Sequence, residues 1–128
     1  MVQMSTPSKI RKLEQRRERL IGELLKTQAM IRGSFGTVHR KCGAPNCWCA
    51  QGSGHPLDRI NYSQNGRSRT KAVKSQDVEW AREMTENYKR FRKNRQALRT
   101  LEKQINQAIE ELENKIVDKT ARQRDYVT

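Results

Sequence analysis

His39-Arg40-Lys41-Cys42-Gly43-Ala44-Pro45-Asn46-Cys47-Trp48-Cys49, continued by Ala50-Gln51-Gly52-Ser53-Gly54-His55, is the stretch on which the reading of this chain turns. All three cysteines of the 128-residue chain fall inside it. An odd, tightly clustered set is wrong for a secreted disulfide framework and right for an intracellular metal cluster. Cys42, Cys47, Cys49 and His55 form a C-x4-C-x-C-x5-H pattern. Three thiolates and an imidazole are an accepted tetrahedral set for structural zinc, so these four are the predicted metal ligands. His39 is the alternative fourth ligand. Two other readings compete: three reduced thiols in a loose loop anchored by Trp48, and redox chemistry at the close C-x-C pair.

Downstream of the cluster, Arg59-Ile60-Asn61-Tyr62-Ser63 and Arg67-Ser68-Arg69-Thr70-Lys71-Ala72-Val73 flank Asn65-Gly66. Asn-Gly accepts the positive φ angles of a type I′ turn, which predicts a β-hairpin. With those two residues at the tip, Gln64 faces Arg67, Tyr62 faces Arg69 and Ile60 faces Lys71. The period of two then sets Arg67, Arg69 and Lys71 on one face with Tyr62. Upstream, Thr37 to Arg40 reads as a short strand leading into Cys42. Residues 33–75 therefore form a zinc-type β module with few apolar residues, which needs a staple.

On either side the period changes. Ile10, Leu13, Leu20, Ile21, Leu24, Leu25 and Ile31 recur at steps of three and four, predicting an amphipathic helix over 8–32, with Ser8 as N-cap and Gly33 beyond its end. Ser75 caps a second helix over 76–119, whose stripe runs Trp80, Met84, Asn87/Tyr88, Phe91, Leu98, Leu101, Ile105, Ala108/Ile109, Leu112 and Ile116. Trp80 and Phe91 read as core knobs. Residues 120–128 form a tail. The expected fold is mainly α with a small β insert: two long antiparallel helices, a coiled-coil-like hairpin, flanking a central zinc-type β-hairpin. At 1.5 Å per residue the first helix spans roughly 36 Å and the second roughly 65 Å. The first then covers only about residues 77–100. Leu101, Ile105, Ile109, Leu112 and Ile116 are left as an oligomer seam over 101–117, and a homodimer is expected.

Composition bounds the function. Hydrophobic residues make up 34% and aromatics 5%, too few for a large globular core. Lys and Arg number 27 against 14 acidic residues, a formal net charge of +13. Such an excess attracts polyanions, with nucleic acid the commonest partner and an anionic membrane surface second. Residues 32–75 carry eight basic side chains and one acidic, whereas 101–128 carry five and six. No apolar run is long enough to span a membrane, and no signal core opens the chain, so a cytoplasmic, nucleoid-associated location is expected.

Two surfaces compete for the polyanion. One is the hairpin, with Arg67, Arg69 and Lys71 and with Arg59 and Lys74 nearby; a two-stranded ribbon fits the major groove. The other is the helical run bearing Lys89, Arg92, Arg95 and Arg99, which suits phosphates. Few exposed aromatics are foreseen, which favours duplex DNA over single strands, and DNA over RNA.

Gly33-Ser34-Phe35, Cys42-Gly43-Ala44-Pro45-Asn46-Cys47-Trp48-Cys49-Ala50, Gly52-Ser53-Gly54-His55, the Asn65-Gly66 hairpin and Asn87-Tyr88-Lys89-Arg90-Phe91 together resemble a family of small uncharacterised prokaryotic proteins. The shared pattern is C-G-x-P-N-C-x-C followed by G-x-G-H, and the likeness covers roughly residues 20–115. Its members are often encoded near transposases, which implies a mobile-element setting, but the resemblance implies no activity. Leu57-Asp58-Arg59 stands where members tend to be more aromatic.

Three classes of function follow. The first is a non-catalytic DNA-binding accessory or regulatory protein, dimeric and stapled by zinc. The second is a coiled-coil adaptor, also stapled by zinc, that recruits a protein partner through its helices. The third, an enzyme, is disfavoured: there is no Gly-rich phosphate loop, H-E-x-x-H or nucleophile elbow.

Overall fold

A computed structural model describes residues 5–26 and 28–124. Its elements in order are α1 (Thr6–Leu24), β1 (Ser34–Arg40), β2 (His55–Gln64), β3 (Arg67–Ala72) and α2 (Val78–Gln123), with 3-10 turns at Trp48–Gln51 and Ser75–Asp77. The chain divides into two compact units: Gln28–Arg92 in one, α1 and the part of α2 from Lys93 in the other.

The unit Gln28–Arg92 contains a three-stranded antiparallel sheet in the order β1-β2-β3. This sheet replaces the expected hairpin flanked by two long helices. The β2–β3 hairpin is present in the anticipated register, Gln64 opposite Arg67, Tyr62 opposite Arg69 and Ile60 opposite Lys71. Asn65 at φ 53° and Gly66 at φ 76° make its turn. The missing strand pair is β1 with the first half of β2, from Ser34 opposite Asn61 to Arg40 opposite His55. Pro56 obscures it in the sequence, because proline donates no ladder bond. β3 pairs only with Arg59–Gln64, so at Pro56 β2 has β1 as its one neighbour and the proline is tolerated as on an edge.

Directly opposed residues of an antiparallel ladder project to the same side. Phe35, Ile60 and Lys71 therefore share a face with Tyr62, Arg69, Gln64 and Arg67. On that side the Arg82 guanidinium of α2 lies 4.9 Å from the Phe35 ring centroid. Within this unit α2 buries Ala81, Met84 and Thr85. Trp80, expected as a core knob, is 55% exposed: the adjoining Ala81 takes the inward position, and one residue along a helix turns the side chain by about 100°.

Helix α1 also departs from expectation. It has 19 residues against 46 in α2, so the two are not a matched pair. It starts at Thr6, before Ser8, because Pro7 is at ease in a first turn, and the cap is the Ser5 hydroxyl accepting from Ser8 N–H. It ends at Leu24 although the apolar stripe continues to Ile31. Residues 28–31 are held elsewhere: Ile31 N–H donates to Met84 O at 3.1 Å, Asn87 Nδ2 to Ala29 O at 3.0 Å, and Arg90 to Gln28 at 3.3 Å. Tertiary hydrogen bonds override the helical period there.

In the other unit α1 runs antiparallel to the later part of α2. Lys115 Nζ donates to the buried Thr6 hydroxyl at 2.6 Å, Lys9 meets Glu111 at 3.7 Å, and Arg17 meets Glu102 at 3.8 Å. Leu13 and Ala108 are buried between the helices, and Leu101, Ile105 and Leu112 are half-buried. The expectation that α1 covers only 77–100 is thus corrected. The linking residues 28–31 occupy α2 at Met84–Arg90, and α1 takes the stretch Glu102–Lys115. The last part of the expected tail, 125–128, lies outside the described residues. No helix among the described residues is long and apolar enough to cross a membrane.

Candidate metal centre and basic face

The connection between β1 and β2 is built to bring four side chains together. A turn closed by Cys47 N–H donating to Ala44 O at 3.2 Å has Pro45 and Asn46 at its corner, where proline's fixed φ suits the bend. The 3-10 turn Trp48–Gln51 follows, and Cys49 on it is fully buried. Gly54 returns the chain to β2 with φ +103°, so close to β1 that a Cβ there would lie 2.5 Å from the Arg40 carbonyl carbon. Only glycine fits, and this contact delivers His55 to the cluster.

The ligand atoms of Cys42, Cys47, Cys49 and His55 all lie within 4.8 Å of one another. Cys42 Sγ and Cys49 Sγ are 3.4 Å apart, and Cys47 Sγ is 3.2 Å from His55 Nε2. A tetrahedral ion with metal–sulfur bonds of about 2.3 Å sets sulfurs about 3.8 Å apart, so the spacing suits a metal with modest adjustment. The three thiols are free. His39 sits in β1 opposite Pro56, outside the cluster, so His55 is the imidazole of the set.

The electrostatics prepare the sulfurs for a cation. The Ala44 backbone, with help from Cys49, His55 and Cys47, draws the Cys42 thiol down to about 6 from its ordinary 9.0. Cys47 is also lowered, chiefly by the Cys49 backbone. Cys49 accepts from Cys42 N–H at 3.4 Å, which favours its thiolate, yet burial and the two neighbouring thiols leave it raised on balance. Hydrogen bonding to Cys42 and Cys47 raises His55. Backbone N–H groups aimed at sulfur also serve a metal thiolate, by steadying the ligand's charge and orientation.

The nine basic residues singled out from sequence fall into four places. Arg67, Arg69 and Lys71 are exposed along β3, and Lys89 and Arg92 are exposed on α2 in the same unit. They meet a residue that sequence reasoning missed. Arg82, with Lys89 and Arg92, lines a groove of about 620 Å³ whose other walls include Phe35, Thr85, Glu86 and Tyr88. Its signal was present, since 82, 85, 89 and 92 recur at helical steps. Arg92 lies 5.8 Å over the Tyr88 ring. Because Phe35 shares its side of the sheet with Arg67, Arg69 and Lys71, strand and helix cations belong to one basic face. Arg59 does not join it. Paired with Gly36 and Ala72, it projects from the opposite side, and its Nε is buried with no partner among the described residues. Lys74 is exposed just beyond β3, and Arg95 and Arg99 belong to the helical unit.

Of the five seam residues, Leu101, Ile105 and Leu112 are half-buried, whereas Ile109 and Ile116 are 47% and 56% exposed.

The fold and site thus define a small antiparallel β module with a Cys3His candidate metal centre, preceded and followed by helices in the chain. A family model described as a domain of unknown function (DUF6788) matches residues 10–83. The chain belongs to that family, and the matched range includes the whole sheet and all four candidate ligands. No curated protein and no solved structure matches it.

Proposed function

We propose that this protein is a non-catalytic nucleic-acid-binding accessory or regulatory protein whose β module is stapled by a structural zinc ion and whose preferred ligand is duplex DNA. One observation carries the reading: Arg67, Arg69 and Lys71 stand in a row on an exposed edge strand, and none has a carboxylate partner among the described residues. Alternate residues on a strand are about 6.8 Å apart, so unpartnered cations at that spacing repel one another until phosphates neutralise them. The groove cations Arg82, Lys89 and Arg92 extend the same face. Zinc is the ion favoured by three thiolates and one imidazole. With all four positions taken by protein the ion has no open site for catalysis, so its work is structural. It holds β1 to β2 and thereby sets the face that β2 and β3 present.

The experiment is a low-salt titration of a labelled DNA duplex with metal-analysed protein. The reading expects about one zinc per chain and binding that weakens steeply as salt rises. A zinc ratio well below one removes the staple; no binding at low salt, or binding without a salt slope, removes the nucleic-acid role.

A second reading, a protein-interaction adaptor, is favoured by Ile109, Ile116 and Val117, which leave apolar surface exposed on α2. The partner best suited is a second copy of the chain, because residues 101–128 are nearly neutral and copies meet there without repulsion. A monomer in sedimentation at micromolar concentration would remove the homodimer.

A further inference from the structure

Trp48 is neither part of the basic face nor one of the candidate ligands, yet it is the most exposed aromatic of the sheet unit, at 65%. Exposure alone would signify little, but an exposed indole held in one orientation is a ready stacking surface. The indole is held by its neighbours. Cys47 and Cys49 on either side are both candidate ligands, the backbone between them is fixed in a 3-10 turn, and the His55 ring meets the indole edge-to-face at a centroid distance of 4.8 Å and an interplanar angle of 74°. An edge-to-face contact on one side leaves indole surface open to a further ring. Arg40 is paired with His55 across the ladder, Lys41 follows it, and both are exposed. A flat aromatic held against His55, with exposed Arg40 on the strand end that pairs with His55 and Lys41 next in the chain, suits an unpaired nucleotide: the ring stacks on the base while the cations meet its phosphates.

We infer that Trp48, with Arg40 and Lys41, forms a second nucleic-acid subsite that stacks an unpaired base. The inference rests on the nucleic-acid reading above and deepens it: the ligand class becomes a duplex with a single-stranded segment, end or extruded base. It also gives the metal cluster a second task, since the ion that joins β1 to β2 fixes the stacking ring.

The test compares zinc-loaded wild-type protein with Trp48→Ala and Trp48→Phe, using a labelled oligothymidylate and a blunt duplex at low salt. Stacking on one aromatic accounts for about tenfold or more in affinity, so W48A loses that much on the single strand, W48F recovers part of it, and duplex binding is unchanged. Equal single-strand affinity of W48A and wild type, with duplex binding intact, overturns the subsite and leaves the basic face standing. Wild-type protein that binds neither probe overturns both. A second measurement is independent of any change at Trp48. In Trp80→Phe protein Trp48 is the sole tryptophan, and its fluorescence is quenched by oligothymidylate but not by an abasic strand of equal length. Equal quenching by the two strands overturns the proposal.

Discussion

Cys42 shows how the cluster turns local geometry into reactivity. Its thiol is drawn to about 6, first by the Ala44 backbone, while Cys49 is buried and raised. A lowered acid favours the folded state where it is ionised. Its contribution to stability is therefore complete above pH 9, its ordinary value, and is lost as pH falls through about 6. His55 has the opposite sign: raised from 6.5, it contributes below that pH and loses its contribution as pH rises through its folded value. In chelator-treated protein, alkylation followed by mass mapping is expected to mark Cys42 first, with a rate midpoint near pH 6, and Cys49 last. Cys49 reacting first, or a Cys42 midpoint near 9, contradicts this picture. Zinc-loaded protein is expected to resist at all three sulfurs. Gly54 supports the same centre through sterics. Gly54→Ala forces a Cβ against the Arg40 backbone at a positive φ and is expected to cost about 1–3 kcal/mol in urea denaturation. The four residues that come together at the candidate metal centre were legible in the sequence because residue type and spacing carry the chemistry. The choice of His55 over His39 was not, since it depends on the register of a strand pair hidden behind Pro56.

The elements were legible wherever a local rule decides them. Asn65-Gly66 fixes its own turn, and the hairpin register follows from two residues. The β1–β2 ladder is closed by a long connection and not by a two-residue hairpin turn of the Asn65-Gly66 kind, so nothing local marks β1 and β2 as partners. Helix α1 was misjudged at both ends for separate reasons: Pro7 extends its start, and tertiary bonds to α2 end the helical course before Ile31. The pairing of α1 with the later part of α2 rests mainly on apolar burial. Its ion pairs are exposed, and such pairs contribute about 0–1 kcal/mol each. Leu13 is the buried apolar residue of α1. Leu13→Ala is expected to destabilise the helical unit by about 2–3 kcal/mol, read as faster hydrogen exchange over α1 with the sheet unaffected. Unchanged exchange over α1 contradicts that packing.

For the whole molecule, the excess charge has an address. Residues 28–92 hold twelve cations against five carboxylates, while the chain beyond 100 is nearly neutral. The family match, residues 10–83, covers β3 and reaches Arg82, so the basic strand lies inside the shared domain. Composition gives the size of the excess charge. It does not say that strand and helix cations share one side, because that follows from Phe35, Ile60 and Lys71 standing opposite one another across three strands. The central claim is that this side meets phosphates. It is tested most directly by the salt dependence of duplex binding for wild-type protein and for the triple variant Arg67→Ala/Arg69→Ala/Lys71→Ala. Each phosphate contact contributes about 0.9 to the slope of log affinity against log salt, so the variant is expected to bind more weakly, with a slope shallower by about 2 to 3. Identical slopes and affinities for the two proteins would contradict the account.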